Sequence, residues 1–263
     1  MKTRNLNLSV VFLLAGFFCG CGGEKNILLK LKYDKNARID IKYRYYMVTN
    51  DEDDEPLINE YIRMGWTVDS IFRDSSYQFS AKIDYVRIKN KGLLPILDEE
   101  YSSDRDTSEM GAAEKQLDHQ VRPALNASYK FTLDKYGKII KPFSLENSTV
   151  LLENNSFIDL GIYQIAFPDH KIAIGEKWDN DQAIAGTKKK RSATYHIESI
   201  YDSTIQIKVD GKAWDEDGNL SHFSGRYFLD KTTCKLVSCK IERKGKIRGT
   251  GDFGKAVISI EAN

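Results

Sequence analysis

The side chains that could do chemistry in this chain are four histidines, four cysteines and a dense set of carboxylates, and their spacing argues against most of it. His119, His170, His196 and His222 show neither the i,i+4 nor the Cys-x-x-Cys spacing that metal ligation favours, so they are expected to be structural or solvent-facing. Asp215, Asp217 and Gly218 match positions three, five and six of a calcium-binding loop, but Ala213 and Ser224 stand at positions one and twelve, where carboxylates are required. That segment reads as a hairpin turn. Five adjacent like charges, Asp51 to Glu55, read as a solvated loop rather than a cation site. The sequence holds no Gly-x-Ser-x-Gly elbow, His-Glu-x-x-His helix or Walker A loop. Carboxylates are too plentiful for spacing to nominate a glycosidase pair. The expectation is therefore no catalytic residue, no metal and no cofactor.

Two further groups invite chemistry. Lys188 to Arg191 could meet phosphates, or could discourage edge pairing and stay solvated, which is the reading preferred here. Cys234 and Cys239 would lie about 16 Å apart along a continuous strand, whereas a disulfide needs Cα atoms within about 7 Å. Lys235 to Ser238 supply no Gly or Pro for a turn, so two free, mostly buried thiols are expected.

The N-terminus reads as an address. Lys2 and Arg4 precede an apolar run from Leu8 to Phe18, the length of a signal-peptide core and short of the roughly 20 residues that span a bilayer. The following Phe18-Cys19-Gly20-Cys21 resembles a bacterial lipobox, in which a small residue precedes the cysteine that becomes lipidated. Gly20 fits that position and makes Cys21 the acceptor; Phe18, which would precede Cys19, does not. The expected organisation is a signal peptide over 1–20, a lipidated tether over 21–26 and one β-rich domain over 27–263. Three acyl chains hold a protein firmly where one binds marginally, so the expected location is the cell envelope, by default the outer membrane. Gly22-Gly23-Glu24 gives no firm sorting signal.

What must position any site is mostly sheet. Ile39, Ile41, Tyr43, Tyr45 and Met47 alternate with polar residues or Tyr46, the period-two pattern of a strand with one buried face. The pattern returns at Tyr77 to Tyr85, Ala193 to Ile197 and Ile205 to Val209, and Leu236 to Ile260 supplies two or three more strands. Asp134 to Lys138 and Asp215 to Asn219 read as hairpin turns. Met110, Ala113, Leu117 and Val121 recur at helical spacing over Ser108 to Val121, with Pro123 as a stop. A second apolar stretch, Thr149 to Ile165, is expected to be helical. The fold class is mainly β with an α insertion: a strongly curved antiparallel sheet, a half-barrel, with helices packed on its concave face. Tyr43, Tyr45, Trp66, Phe79, Tyr85, Tyr195 and Tyr227 fall on alternating positions, as filled core or as the lining of an apolar ligand cavity. With 39 basic against 38 acidic side chains, the chain lacks the positive excess that nucleic acid would need.

Ile172-Ala173-Ile174-Gly175-Glu176-Lys177-Trp178 after Phe167-Pro168, with the aromatic strands and closing hairpins, resembles a group of Bacteroidota-type cell-envelope lipoproteins. The general plan is similar to the half-barrel of the Lol lipoprotein-localisation carriers and related periplasmic lipid-binding lipoproteins, which hold acyl chains between sheet and helices. That resemblance concerns the fold; the lipobox, the alternating aromatic strands and the missing catalytic motifs lead to the expectation of a membrane-anchored, non-enzymatic protein binding an apolar or amphiphilic ligand. Two alternatives stay open: a module that assembles with another envelope protein, and a glycan-active enzyme, which would need two carboxylates about 5 to 9 Å apart in a cleft.

Overall fold

The computed structural model describes residues 26–49, 56–90, 100–125, 127–145, 165–183, 190–215, 217–246 and 253–263. In chain order these form β1 (Asn26–Ile27), β2 (Arg38–Thr49), β3 (Ile58–Ile71), β4 (Tyr77–Asn90), β5 (Glu100–Ser102), α1 (Ala112–Leu125), β6 (Tyr129–Leu133) and β7 (Ile139–Leu145). There follow β8 (Ile172–Ala173), β9 (Lys177–Ala183), β10 (Lys190–Ile200), β11 (Thr204–Trp214), β12 (Leu220–Asp230), β13 (Leu236–Lys246) and β14 (Phe253–Ala262).

Twelve strands make one antiparallel sheet in the order β7-β6-β4-β3-β2-β14-β13-β12-β11-β10-β9, with β5 added on β4. Two meanders meet at the β2·β14 ladder, where Tyr43 pairs with Ile260. The sheet is not closed: among the described residues β7 and β9 are its two edges. β1 pairs with β8 in a small separate ladder.

Alternation puts one apolar face on every long strand. A single register row shows it: Ile62, Tyr43, Ile260, Cys239, Tyr227, Ile207 and Ile197 are successive cross-strand partners, and all are buried. Close approach fixes some positions in that face. A Cβ on Gly225 would come within 2.3 Å of the Lys240 carbonyl, so only glycine lets β12 and β13 meet there.

The hairpins at Asp134 to Lys138 and Asp215 to Asn219 form as expected. In each, the leading aspartate accepts backbone N–H groups two and four residues on, from Tyr136 and Lys138 and from Asp217 and Asn219.

The helix differs from expectation at both ends. Asp106 accepts the Ser108 N–H and hydroxyl, holding Ser108 in a turn, and α1 starts at Ala112, where Glu114 reaches back to the Gly111 N–H at 3.0 Å. Pro123 does not stop the helix; it lies in the last turn, where its missing N–H removes one bond, and the helix runs to Leu125. The Tyr129 hydroxyl donates to the Ala124 carbonyl at that end. α1 lies against β4 and β5. The Tyr101 hydroxyl donates to Asp118 at 2.9 Å, and the Arg122 guanidinium holds that carboxyl below the usual carboxylate range. The expected helix over Thr149 to Ile165 lies outside the described residues except for Ile165, which is buried in an irregular segment. No helix among the described residues is long and apolar enough to cross a membrane.

Candidate functional site

Among the described residues, irregular chain rather than α1 helps to build an apolar concavity on the sheet. Residues 28–37 run from β1 to β2 without strand pairing, yet Leu29 and Leu31 are buried. The segment is stitched at both sides: Leu31 N–H donates to the Lys135 carbonyl at 2.8 Å, Lys32 N–H to the Thr233 carbonyl at 2.9 Å, and the Tyr77 hydroxyl to the Leu31 carbonyl at 2.9 Å. The turn beyond is braced in the same way. Gly137 has φ +82°, and a Cβ there would stand 2.4 Å from the Ile165 carbonyl; the next contact is Phe167 N–H to the Tyr136 carbonyl at 2.7 Å.

Between this strap and the apolar face of the sheet lies a cavity of about 400 Å³. Tyr43, Met64, Trp66 and Ile260 form its sheet wall, Leu31 and Tyr33 the strap wall, and Leu229 and Leu236, paired across the end of the β12–β13 hairpin, a third wall. Its rim carries Arg38, Asp230, Thr233, Lys235 and Asn263. Tyr33 packs edge-on against Tyr77 at 5.3 Å and Phe79 at 5.2 Å, and burial pushes its phenol well above the ordinary value. Asp230 is held low by hydrogen bonds from the Thr233 hydroxyl and N–H and the Thr232 N–H.

The seven aromatics named from sequence do not gather in one place. Tyr43 and Trp66 line the cavity. Phe79 stands behind Trp66 at 6.1 Å, stacked on Phe131. Tyr195 and Tyr227 lie in the same buried core but away from the cavity, where Tyr195 stacks on Trp178 at 5.5 Å and Arg191 donates to the Tyr195 hydroxyl at 3.0 Å. Arg191 was expected to be solvated; instead its guanidinium lies 4.6 Å from the Phe223 ring centroid. Tyr45 is half-buried beside Glu60, and burial moves its phenol up to about 12. Tyr85 leaves the apolar cluster altogether. A register shift between Arg63 and Met64 breaks the alternation, so Tyr85 packs on Tyr61 and under Arg63 while Val86 and Ile88 take the buried positions.

Sequence reasoning missed Tyr33, Met64, Leu229 and Lys235. Tyr33 and Lys235 sit in irregular segments that no periodicity marks. Cys234 and Cys239 are free and buried, as expected, and burial pushes the Cys239 thiol up to about 12. No cluster of three or more His, Cys, Asp or Glu able to hold a metal occurs among the described residues. Cys21 lies outside them.

The architecture now has a counterpart. The fold is similar to that of lipovitellin. The solved structure, described as lipid-protein interactions in lipovitellin, superposes with a TM-score of 0.54 at 10% identity, over 88% of this chain and 25% of that one. At that identity the likeness concerns the fold, and this chain spans about a quarter of the lipovitellin chain's length. No family model and no curated protein sequence matches the chain.

Proposed function

We propose that this protein is a non-enzymatic lipoprotein of the cell envelope that holds an apolar or amphiphilic ligand in its open sheet. The observation that carries the reading is the apolar cavity of about 400 Å³, open at one end and inside the size range of small-ligand sites. The two wings of the sheet share one buried cluster that also takes in Leu29, Leu31, Ile165 and Phe167, which supports a half-barrel curled around the strap. The lipid bound by the lipovitellin neighbour supports the same direction. Native mass spectrometry with solvent extraction tests it on the chain from Gly22 onward, which keeps the whole buried core. A discrete amphiphile adduct is expected. A clean apo mass, unchanged after incubation with membrane lipids, would leave the cavity unused and favour a protein partner.

Anchoring at Cys21 is the second element of the proposal, with the outer membrane as the site. In the full chain, Cys21→Ser should abolish labelled-palmitate incorporation and move the protein out of the membrane fraction. Incorporation that persists in this variant would move the acceptor to Cys19.

A further inference from the structure

The cavity is chemically polarised. Its deep wall is Tyr43, Met64 and Trp66, all less than 10% exposed, whereas at the other end Val237 is 40% exposed and the Arg38 side chain 62%. The charges of the open end are not equivalent. Arg38 is answered by Asp40 at 2.8 Å and Asp84 at 3.3 Å. Asp230 has its oxygen Oδ1 engaged by the three donors of its own turn. Lys235 is different: among the described residues its ammonium makes no salt bridge within 4.0 Å, interacts with the Asp230 carboxylate only at longer range, and stands 5.1 Å from the ring centroid of Tyr33, a wall of the cavity. Its backbone is fixed, with the Asp230 N–H donating to the Lys235 carbonyl at 2.9 Å, which roots the side chain at the rim.

Volume restricts the occupant further. A cavity of about 400 Å³ lies toward the small end of the range for small-ligand sites, a size suited to one acyl chain of modest length. An ammonium at the mouth of a low-dielectric pocket attracts an ionised head more strongly than it would in water, and gives a neutral head only an ordinary hydrogen bond. We infer that the cavity takes a single-chain amphiphile with a carboxylate head, its chain along Tyr43, Met64 and Trp66 and its carboxylate at Lys235. This rests on the ligand-binding reading above and adds the class of ligand.

Dodecanoate and 1-dodecanol share a chain and differ in the head, so they separate the two readings. Each is titrated, above the carboxyl pKa, against the neutral probe Nile red bound to the chain from Gly22 onward. Dodecanoate should displace the probe at a concentration roughly tenfold lower than dodecanol. Lys235→Gln should remove that preference while leaving dodecanol unchanged, and Ala37→Trp, placed to fill the cavity, should weaken both ligands. Equal potency of the two in the unaltered chain, or a preference that survives Lys235→Gln, overturns the head-group inference and leaves the apolar cavity standing. Failure of both ligands to bind would remove the ligand-binding reading itself. Thermal unfolding at an unchanged midpoint establishes that Lys235→Gln retains the fold.

Discussion

Phe79→Ala is expected to cost about 3–5 kcal/mol of folding stability, the range for emptying a buried aromatic site. The ring is fully buried, stacked on Phe131 with centroids 4.9 Å apart and planes 6° from parallel. Tyr33 meets it edge-on at 5.2 Å, and Trp66 packs on both it and Phe131, the latter at 4.9 Å. Such ring pairs add to simple area burial, and β4 cannot collapse into the void because β3 and β6 pin it through the Val68 and Phe131 pairings with Phe79. The effect reaches function, since Trp66 and Tyr33 are walls of the cavity and lean on this ring. Urea unfolding followed by circular dichroism measures the loss. A change below about 1 kcal/mol would mean that the aromatic cluster is loosely filled and that the cavity extends through it.

How the fold could be read in advance depends on where one face of a strand stays pure. β2 and β11 keep alternation over their length, β10 keeps it as far as Ile197, and the Asp-led turns announce themselves by residue type. β3 has the same alternation at Ile62, Met64, Trp66 and Val68, but Glu60 occupies a buried-face position at its start and hides the strand's true length. β9 offers one buried aromatic, Trp178, and a polar remainder, because it lies at an edge. Tyr85 was misplaced for a third reason: period-two counting has no means of sensing the register shift between Arg63 and Met64. The cavity was the least legible part. One of its walls, the strap of Leu31 and Tyr33, comes from chain that pairs with no strand, held by backbone bonds to Lys135 and Thr233, and such bonds leave no side-chain signature.

Glu60→Gln is expected to stabilise the protein above neutral pH by about 3 kcal/mol and to leave it unchanged in acid. Glu60 pairs across the sheet with Tyr45 on one side and Ile88 on the other, so its carboxyl belongs to the apolar face. Burial alone moves it from the ordinary 4.5 up to about 7. The folded state therefore keeps this proton at a pH where the unfolded chain has already released it. Between about pH 4.5 and 7 the unfolded state binds fewer protons, so stability falls as pH rises through that window, and above it the full cost of a buried carboxylate is present. At about 1.4 kcal/mol per pKa unit that cost is on the order of 3 kcal/mol, and glutamine, which cannot ionise, escapes it. Asp118 and Asp230 are held low by their partners and act in the opposite sense, losing stabilisation as pH falls toward and below their ordinary values. The unaltered protein should accordingly be most stable in mildly acidic solution, and the glutamine variant should hold that stability into the alkaline range. Urea midpoints at acid and alkaline pH decide it: a variant no more stable than its parent above pH 7 would show that the Glu60 carboxylate is solvated or paired in the folded protein.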